Sequence, residues 1–409
     1  MFLLVDIAYL IALPAVIVHA LLSRLKGHPR RKDLRGRLGF GKNLPIQPKR
    51  ILIHAVSVGE VNSLRTIVPL LIENNYDVVI CVTTDTGIRR ANELFSESCI
   101  IERFPFDFSF SIRKFLKRIK PTIVALVELE VWPNFISRCS KISVPVLIIN
   151  GRLSQRSFER YKLVKPLLKK TFSRISAIGM QTVDYSNRVK DLGGMNVCVL
   201  GTMKWDNVDI AFQCVNGVQQ FIADLGIDPE KPLVVGASTA PEEHSILRNA
   251  LPEGVQLLCA PRKPEWFDNA EEVLAPCNRR TCKQRCETNY FLLDTIGELD
   301  KAYLYADIVV IGRSFVPMYG SDPVPPIAFG KTTFIGPNYG DFKEMVDLFI
   351  KESAIVVCDE KELADCIQLY LEDPELLKAP GLAGQMVIKK QQGASKKYFD
   401  LIVENTPSG

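Results

Sequence analysis

Ile51-Leu52-Ile53-His54-Ala55-Val56-Ser57-Val58-Gly59-Glu60 reads as an apolar strand running into the first turn of a helix. Ser57, Gly59 and Glu60 make a tight strand-to-helix turn with free backbone N–H groups, and Val61 to Leu71 carries a helical apolar pattern. Glu60 therefore stands where an α/β protein presents a catalytic group. The same position suits a carboxylate that only caps the helix and answers its dipole, and spacing alone does not separate the two roles.

Beyond this stretch strand and helix alternate, which calls for parallel sheets covered on both faces. Strands are predicted over 51–55, 77–83, 100–104, 122–127, 145–149, 175–180 and 196–200, with amphipathic helices between them, for example 112–118 and 161–172. The pattern blurs between Trp205 and Glu230, and a second series follows at 232–236, 255–260, 290–293, 307–311, 332–335 and 354–357. The fold class is α/β, with two Rossmann-like doubly wound domains, as expected for 409 residues.

Phe2 to Leu22 is almost entirely apolar, broken by Asp6, Pro14 and His19, and is just long enough to span a bilayer. Ten basic residues follow between Arg24 and Arg50, against the single acid Asp33. A secretory signal would place its charge before the apolar run, so the reading is an uncleaved anchor with its positive flank in the cytoplasm. A helix packed on the following domain is the alternative. The net charge of +5 comes from this basic segment, which suits an anionic membrane surface or a phosphorylated lipid. No nucleic-acid reader motif accompanies it. The eleven cysteines are scattered, as for reduced thiols, and the one cluster, Cys277, Cys282 and Cys286, fits no common zinc spacing.

Four more stretches bear on function: Glu128-Leu129-Glu130-Val131-Trp132-Pro133-Asn134, Asn150-Gly151-Arg152-Leu153-Ser154, Gly201-Thr202-Met203-Lys204-Trp205-Asp206 and Ala260-Pro261-Arg262-Lys263-Pro264-Glu265. With the Glu60 motif, in this order and spacing, they resemble the bacterial 3-deoxy-D-manno-octulosonic acid (Kdo) transferases, which attach Kdo sugars to the lipid A precursor. The resemblance runs from the N-terminus to near the C-terminus. It implies the GT-B glycosyltransferase architecture, two such domains facing across a cleft, preceded by a membrane anchor helix. The expected division is an anchor over 1–23, a basic juxtamembrane segment over 24–50, an acceptor domain over 51–205, a linker over 206–231, a nucleotide-sugar domain over 232–381 and a helical stretch over 382–409 that crosses back.

The resemblance also implies roles. Glu60 is the general base toward the acceptor hydroxyl, and Glu128 pairs with Lys204 to stabilise the transition state and order the acceptor. Glu128 and Glu130 share one face if the chain stays extended, so only one of them suits that role unless a cation lies between. Trp132-Pro133-Asn134 reads as a helix start and core anchor. In the second domain Pro261 and Arg262 lie at a strand's carboxyl end and match the nucleotide contact, Arg262 being able to fork onto a phosphate. Gly312-Arg313-Ser314 matches a Gly-Gly-Ser turn whose amides approach the leaving cytidine monophosphate (CMP), with Arg313 in place of a glycine. Asn338 and Asp341 stand in the matching downstream segment, where Asp341 replaces an asparagine.

The main departure is Tyr319-Gly320-Ser321-Asp322-Pro323-Val324-Pro325-Pro326, where the family reads Gly-Gly-His-Asn-Pro-Leu-Glu. Pro325 occupies the place of the ribose-binding glutamate, while Asp322-Pro323 is still able to cap and start a helix. The resulting expectation is a metal-independent, cofactor-free inverting transferase at the inner membrane, with catalytic domains in the cytoplasm, moving Kdo from CMP-Kdo to a lipid A precursor. A transferase for another nucleotide sugar, or a catalytically silent membrane-bound homologue, are its rivals.

Overall fold

The computed structural model describes Asp6, residues 33–208 and residues 217–407. The apolar stretch read as an anchor thus lies outside the described residues apart from Asp6; among the described residues no helix is long and apolar enough to cross a membrane. The chain divides into two compact units, one of residues 1–207 with 391–409 and one of residues 208–390.

The first unit holds strands β1 (Arg50–Ala55), β2 (Asp77–Val82), β3 (Ile100–Arg103), β4 (Ile123–Val127), β5 (Val146–Gly151), β6 (Ala177–Met180) and β7 (Val197–Val199). They form one parallel sheet in the order β3-β2-β1-β4-β5-β6-β7. The β1 and β4 strands are buried along their whole length, which is why their sequences are continuous apolar runs and not alternating ones. Apolar clusters cover both faces. One is centred on Phe115, Phe135 and Phe172, the other on Ile51, Leu71 and Tyr398.

The second unit repeats the design with β8 (Leu233–Thr239), β9 (Gln256–Pro261), β10 (Asn278–Arg279), β11 (Tyr290–Leu292), β12 (Ile308–Ile311), β13 (Thr332–Ile335) and β14 (Val356–Val357), in the order β10-β11-β9-β8-β12-β13-β14. The direction of strand succession reverses between β1 and β4 in one sheet and between β8 and β12 in the other. Such switch points open the crevices in which α/β sheets hold ligands.

Four local expectations change. The helix foreseen over 161–172 is two, Gln155–Lys162 and Lys165–Phe172, broken at Leu163-Val164 ahead of Pro166. The stretch 382–404 is likewise two helices, Pro374–Gln391 and Ala394–Asn405, separated at Gly393 with φ 98°. The two-residue β10 carries too little apolar pattern to have been foreseen. Arg50, counted with the basic segment, is instead buried: its Nε meets Asp77 Oδ2 at 2.5 Å and its Nη1 donates to the carbonyls of Pro45 and Ile119.

The helix Ala394–Asn405 returns to the first unit, where it packs on β4, β5, β6 and the helix Ile67–Glu73 and buries Tyr398 and Ile402. Its N-terminus has no capping side chain of its own, and Asp206 supplies one by accepting from Gly393 N and Ser395 N. Replacing Asp206 by Ala should lower unfolding free energy by about 0.5–2 kcal/mol, the usual worth of such a cap. Urea denaturation checks this: the midpoint should fall with the slope unchanged, and Asp206→Asn should restore most of the loss.

Candidate active site

Glu60 lies on the helix Val58–Ser63, directly after β1, with Ser57 as N-cap. Its Oε2 accepts from Val56 N at 2.8 Å and its Oε1 from Ser57 Oγ at 2.9 Å, while Ser57 Oγ accepts from Glu60 N at 3.4 Å. Glu60 is thus a capping carboxylate, as one of its two sequence readings has it, and it is also buried. Burial raises its pKa above the usual carboxylate range, the Val56 N–H opposes this, and the charge of Glu128 adds to the rise.

Glu128 follows β4, across the switch point from Glu60. It has φ 57°, so the chain turns there and does not stay extended as the sequence reading assumed. The turn still gathers the carboxylates. Burial first, then the charges of Glu60 and Glu128, lift the Glu130 pKa to about 7, and Glu130 in turn raises the Tyr161 pKa that burial has already lifted. Sequence reasoning set Glu130 aside. The Glu-x-Glu spacing was visible, but which carboxyl faces the others depends on the left-handed residue.

His54, on β1, is buried in the core. Its Nδ1–H donates to the Cys81 carbonyl at 3.1 Å, its ring stacks on Phe104 with centroids 3.6 Å apart, and burial lowers its pKa to about 3. It is a neutral core histidine. Lys204 is exposed, on a loop held to the end of β5 by the Met203 N to Asn150 Oδ1 bond of 3.1 Å. The expected pair between Lys204 and Glu128 is not formed as an ion pair among the described residues. Trp132, Pro133 and Asn134 start the helix Pro133–Lys141, as foreseen, and Asp107 caps it by accepting from Asn134 N and Phe135 N.

In the second unit Pro261 ends β9 and is buried, and Arg262 after it is exposed with its amide bonded to the Thr239 carbonyl. Gly312 packs so closely on β8 that a Cβ would lie 2.4 Å from Thr239 Cα, which is why glycine is required there. The amides expected to cradle a phosphate are already engaged: Glu243 Oε2 accepts from Arg313 N at 2.6 Å and Ala240 N at 2.8 Å, and its Oε1 from Ser314 N at 2.9 Å and Phe315 N at 3.0 Å. Glu243 is almost fully buried at the β8–β12 switch point, and burial raises its pKa against the four N–H donors. Its sequence signal was Pro241-Glu242-Glu243 opening the helix after β8.

Ser314 is buried, its Oγ donating to the Ile311 carbonyl and accepting from Gly336 N, so it joins β12 to β13. Arg313 sits at φ 61°, where the family's glycine would be unstrained, and its Nη2 donates to the Met318 carbonyl at 2.8 Å. Asp322 accepts from Val324 N at 3.0 Å and starts the helix Val324–Ala328, as expected. Pro325 and Pro326 in that first turn have no N–H to offer a ligand, and the Val324 N–H is taken by Asp322. Asn338 is half-buried, its amide on the Ser314 carbonyl, and Asp341 is exposed, its amide on the Tyr319 carbonyl.

Solved structures of like fold include a glycosyltransferase from Rickettsia africae (TM-score 0.58, 14% identity, 88% of this chain and 100% of that one). A UDP-GlcNAc 2-epimerase from Neisseria meningitidis bound to UDP-GlcNAc is similar to the same degree (TM-score 0.59, 13% identity, 87% and 100%). These likenesses define the class: a protein of two doubly wound units, the architecture seen in that glycosyltransferase. Residues 32–207 match the family model described as 3-deoxy-D-manno-octulosonic-acid transferase (kdotransferase), and the chain is 28% identical to a 3-deoxy-D-manno-octulosonic acid transferase of Haemophilus influenzae over 96% of both chains. The chain is thus similar to the Kdo transferases, by the family model over most of its first unit and by that relative along nearly its whole length.

Because the Glu130 pKa is raised in the fold, the native protein holds a proton that the unfolded chain has lost at neutral pH. The stability this contributes is complete below about pH 4.5 and is lost as pH rises through about 7. Glu130→Gln should therefore raise the thermal midpoint at pH 8 by several degrees and leave it nearly unchanged at pH 4.5, as measured by calorimetry.

Proposed function

We propose that the protein is an inverting glycosyltransferase that moves Kdo from CMP-Kdo to a lipid A precursor in lipopolysaccharide biosynthesis. The observation that carries this reading is Glu60: a buried carboxylate of raised pKa beside the β1–β4 switch point, in a chain that matches a Kdo transferase along nearly its whole length. Glu60 takes the proton of the acceptor hydroxyl as that oxygen bonds the anomeric carbon of Kdo and the bond from that carbon to the CMP phosphate breaks. A raised pKa brings the base closer to working pH, where it transfers protons most effectively. Glu130 and Glu128 hold the surrounding negative potential, and Lys204, free to swing on its loop, neutralises charge as it develops. The first unit takes the acceptor and the second the donor.

On the donor side Arg262 meets the phosphate, flanked by Pro261 and the Gly312-Arg313-Ser314 turn, with Asn338 and Asp341 toward the nucleoside. The turn amides are bound to Glu243, so the phosphate depends on Arg262 and its neighbour Lys263 more than the family pattern implies. The apolar stretch 2–22 and the basic segment after it support a place at the cytoplasmic face of the inner membrane, against an anionic surface.

Purified full-length protein, supplied with freshly generated CMP-Kdo and lipid A precursor, should yield a product heavier by Kdo in mass spectrometry. Glu60→Gln should keep CMP binding and lower turnover by about 10² to 10⁴. Near-normal turnover of that variant removes Glu60 from the role of base.

The pair of prolines in the first turn of Val324–Ala328 favours a second reading, a donor other than CMP-Kdo. Calorimetry with CMP separates them. If CMP-Kdo is the donor, Pro325→Glu should tighten CMP by up to roughly 1.5–3 kcal/mol through a hydrogen bond from the ribose, and Pro325→Gln and Pro325→Ala should gain less. Equal affinity in all four proteins places the nucleoside elsewhere or points to another donor.

A further inference from the structure

The helix Ser109–Ile119 begins after an apolar N-cap, Phe108, which has no side chain able to satisfy its first amides. The missing acceptor comes from 103 residues away: Asp6 Oδ1 accepts from Ser109 N at 3.1 Å and from Asn134 Nδ2 at 2.9 Å. Asn134 is fully buried and is held on its other side by the Asp107 carbonyl, so this carboxylate meets a fixed donor pair. A lone acid inside an apolar stretch is costly unless it has partners, and here it has two.

The surface around this contact is aromatic. A cavity of about 120 Å³ is lined by Phe104, Phe106, Phe108, Trp132, Thr83 and Arg37. The rings of Phe106, Phe108 and Phe110 follow one another at centroid spacings of 6.5 and 6.1 Å, and Phe110 is 56% exposed. The other end of the N-terminal stretch returns to the same face. After Asp33 the short helix Leu34–Arg37 places the Arg37 guanidinium 5.5 Å over the Phe106 ring, and Phe106 N donates to the Arg37 carbonyl at 2.8 Å. Asp6, before this stretch, and Arg37, after it, therefore both meet one aromatic face.

We propose that this face, Phe104 to Phe110 with Trp132, is the seat of the chain's own N-terminal apolar segment, residues 2–22, registered by the Asp6 carboxylate. The segment is then a part of the acceptor-side unit as well as its link to the membrane. Covering the aromatic strip removes apolar surface from water, and Asp6 fixes which residues cover it, since a slide along the strip would strand a carboxylate away from its donors.

Hydrogen exchange of the full-length protein in detergent, read on peptides spanning residues 104–112, tests this directly. Asp6→Ala should speed exchange at Ser109 and the following amides about tenfold or more, and Asp6→Asn, which keeps an acceptor oxygen, should stay close to the unmodified protein. Equal exchange in unmodified and Asp6→Ala protein overturns the proposal. So does protection that appears in both only when lipid A precursor is added, which would assign the strip to an acyl chain. A second measurement does not depend on the folding of an Asp6 variant: with Phe110 replaced by benzoylphenylalanine, illumination should cross-link position 110 to a peptide within residues 2–22. Cross-links to detergent or lipid alone refute the seat.

Discussion

Four backbone N–H groups converge on the Glu243 carboxylate, and that convergence reflects the demand that organises this chain. In a doubly wound sheet every strand hands over to a helix at the same edge, so amides without intrahelical partners accumulate there. They must be met by ligand, water or side chain, because a buried amide left unmet costs about 1–3 kcal/mol. This protein meets many of them with carboxylates of its own. Glu243 serves the β12 turn, Asp107 the helix at Pro133, Asp206 the last helix, Asp322 the turn at Val324 and Asp6 the helix at Ser109.

The same economy shapes the second unit. An amide nest around a carboxylate is organised in the absence of ligand, which keeps the β8–β12 switch point rigid, but the nest is no longer open to a phosphate. Pro325 and Pro326 close the neighbouring helix end in another way, by removing the donors themselves. The positive charge left at this edge sits on exposed side chains such as Arg262, whose pull on an anion is weaker in water and more sensitive to salt than that of fixed dipoles.

The first unit shows the opposite logic. Glu60, Glu128 and Glu130 lie about one switch point, and the buried histidine of β1, His54, stays neutral and adds no compensating charge. Mutual repulsion and burial are relieved by holding a proton, so the cluster stores acid–base capacity near neutral pH at a cost in stability. For Glu60 the Val56 N–H and the Ser57 hydroxyl, the partners of its helix cap, oppose part of this rise.

Much of this was legible in the chain itself. Strands buried on both faces need unbroken apolar runs, so Ile51–Ile53, Ile123–Val127 and Val234–Val235 announced two parallel sheets, and the residues following those runs announced where a site would lie. Caps that act over three residues, as Ser57 with Glu60, are equally local and equally readable. Tertiary structure alone decided the rest, because it rests on backbone twists and on partners distant in sequence. The left-handed turn at Glu128 directs three carboxyls together, the fold brings Glu243 to amides 70 residues away, and Asp6 reaches a helix 103 residues downstream. Spacing records which groups a segment carries; only packing settles which of them are already satisfied and which remain free to bind.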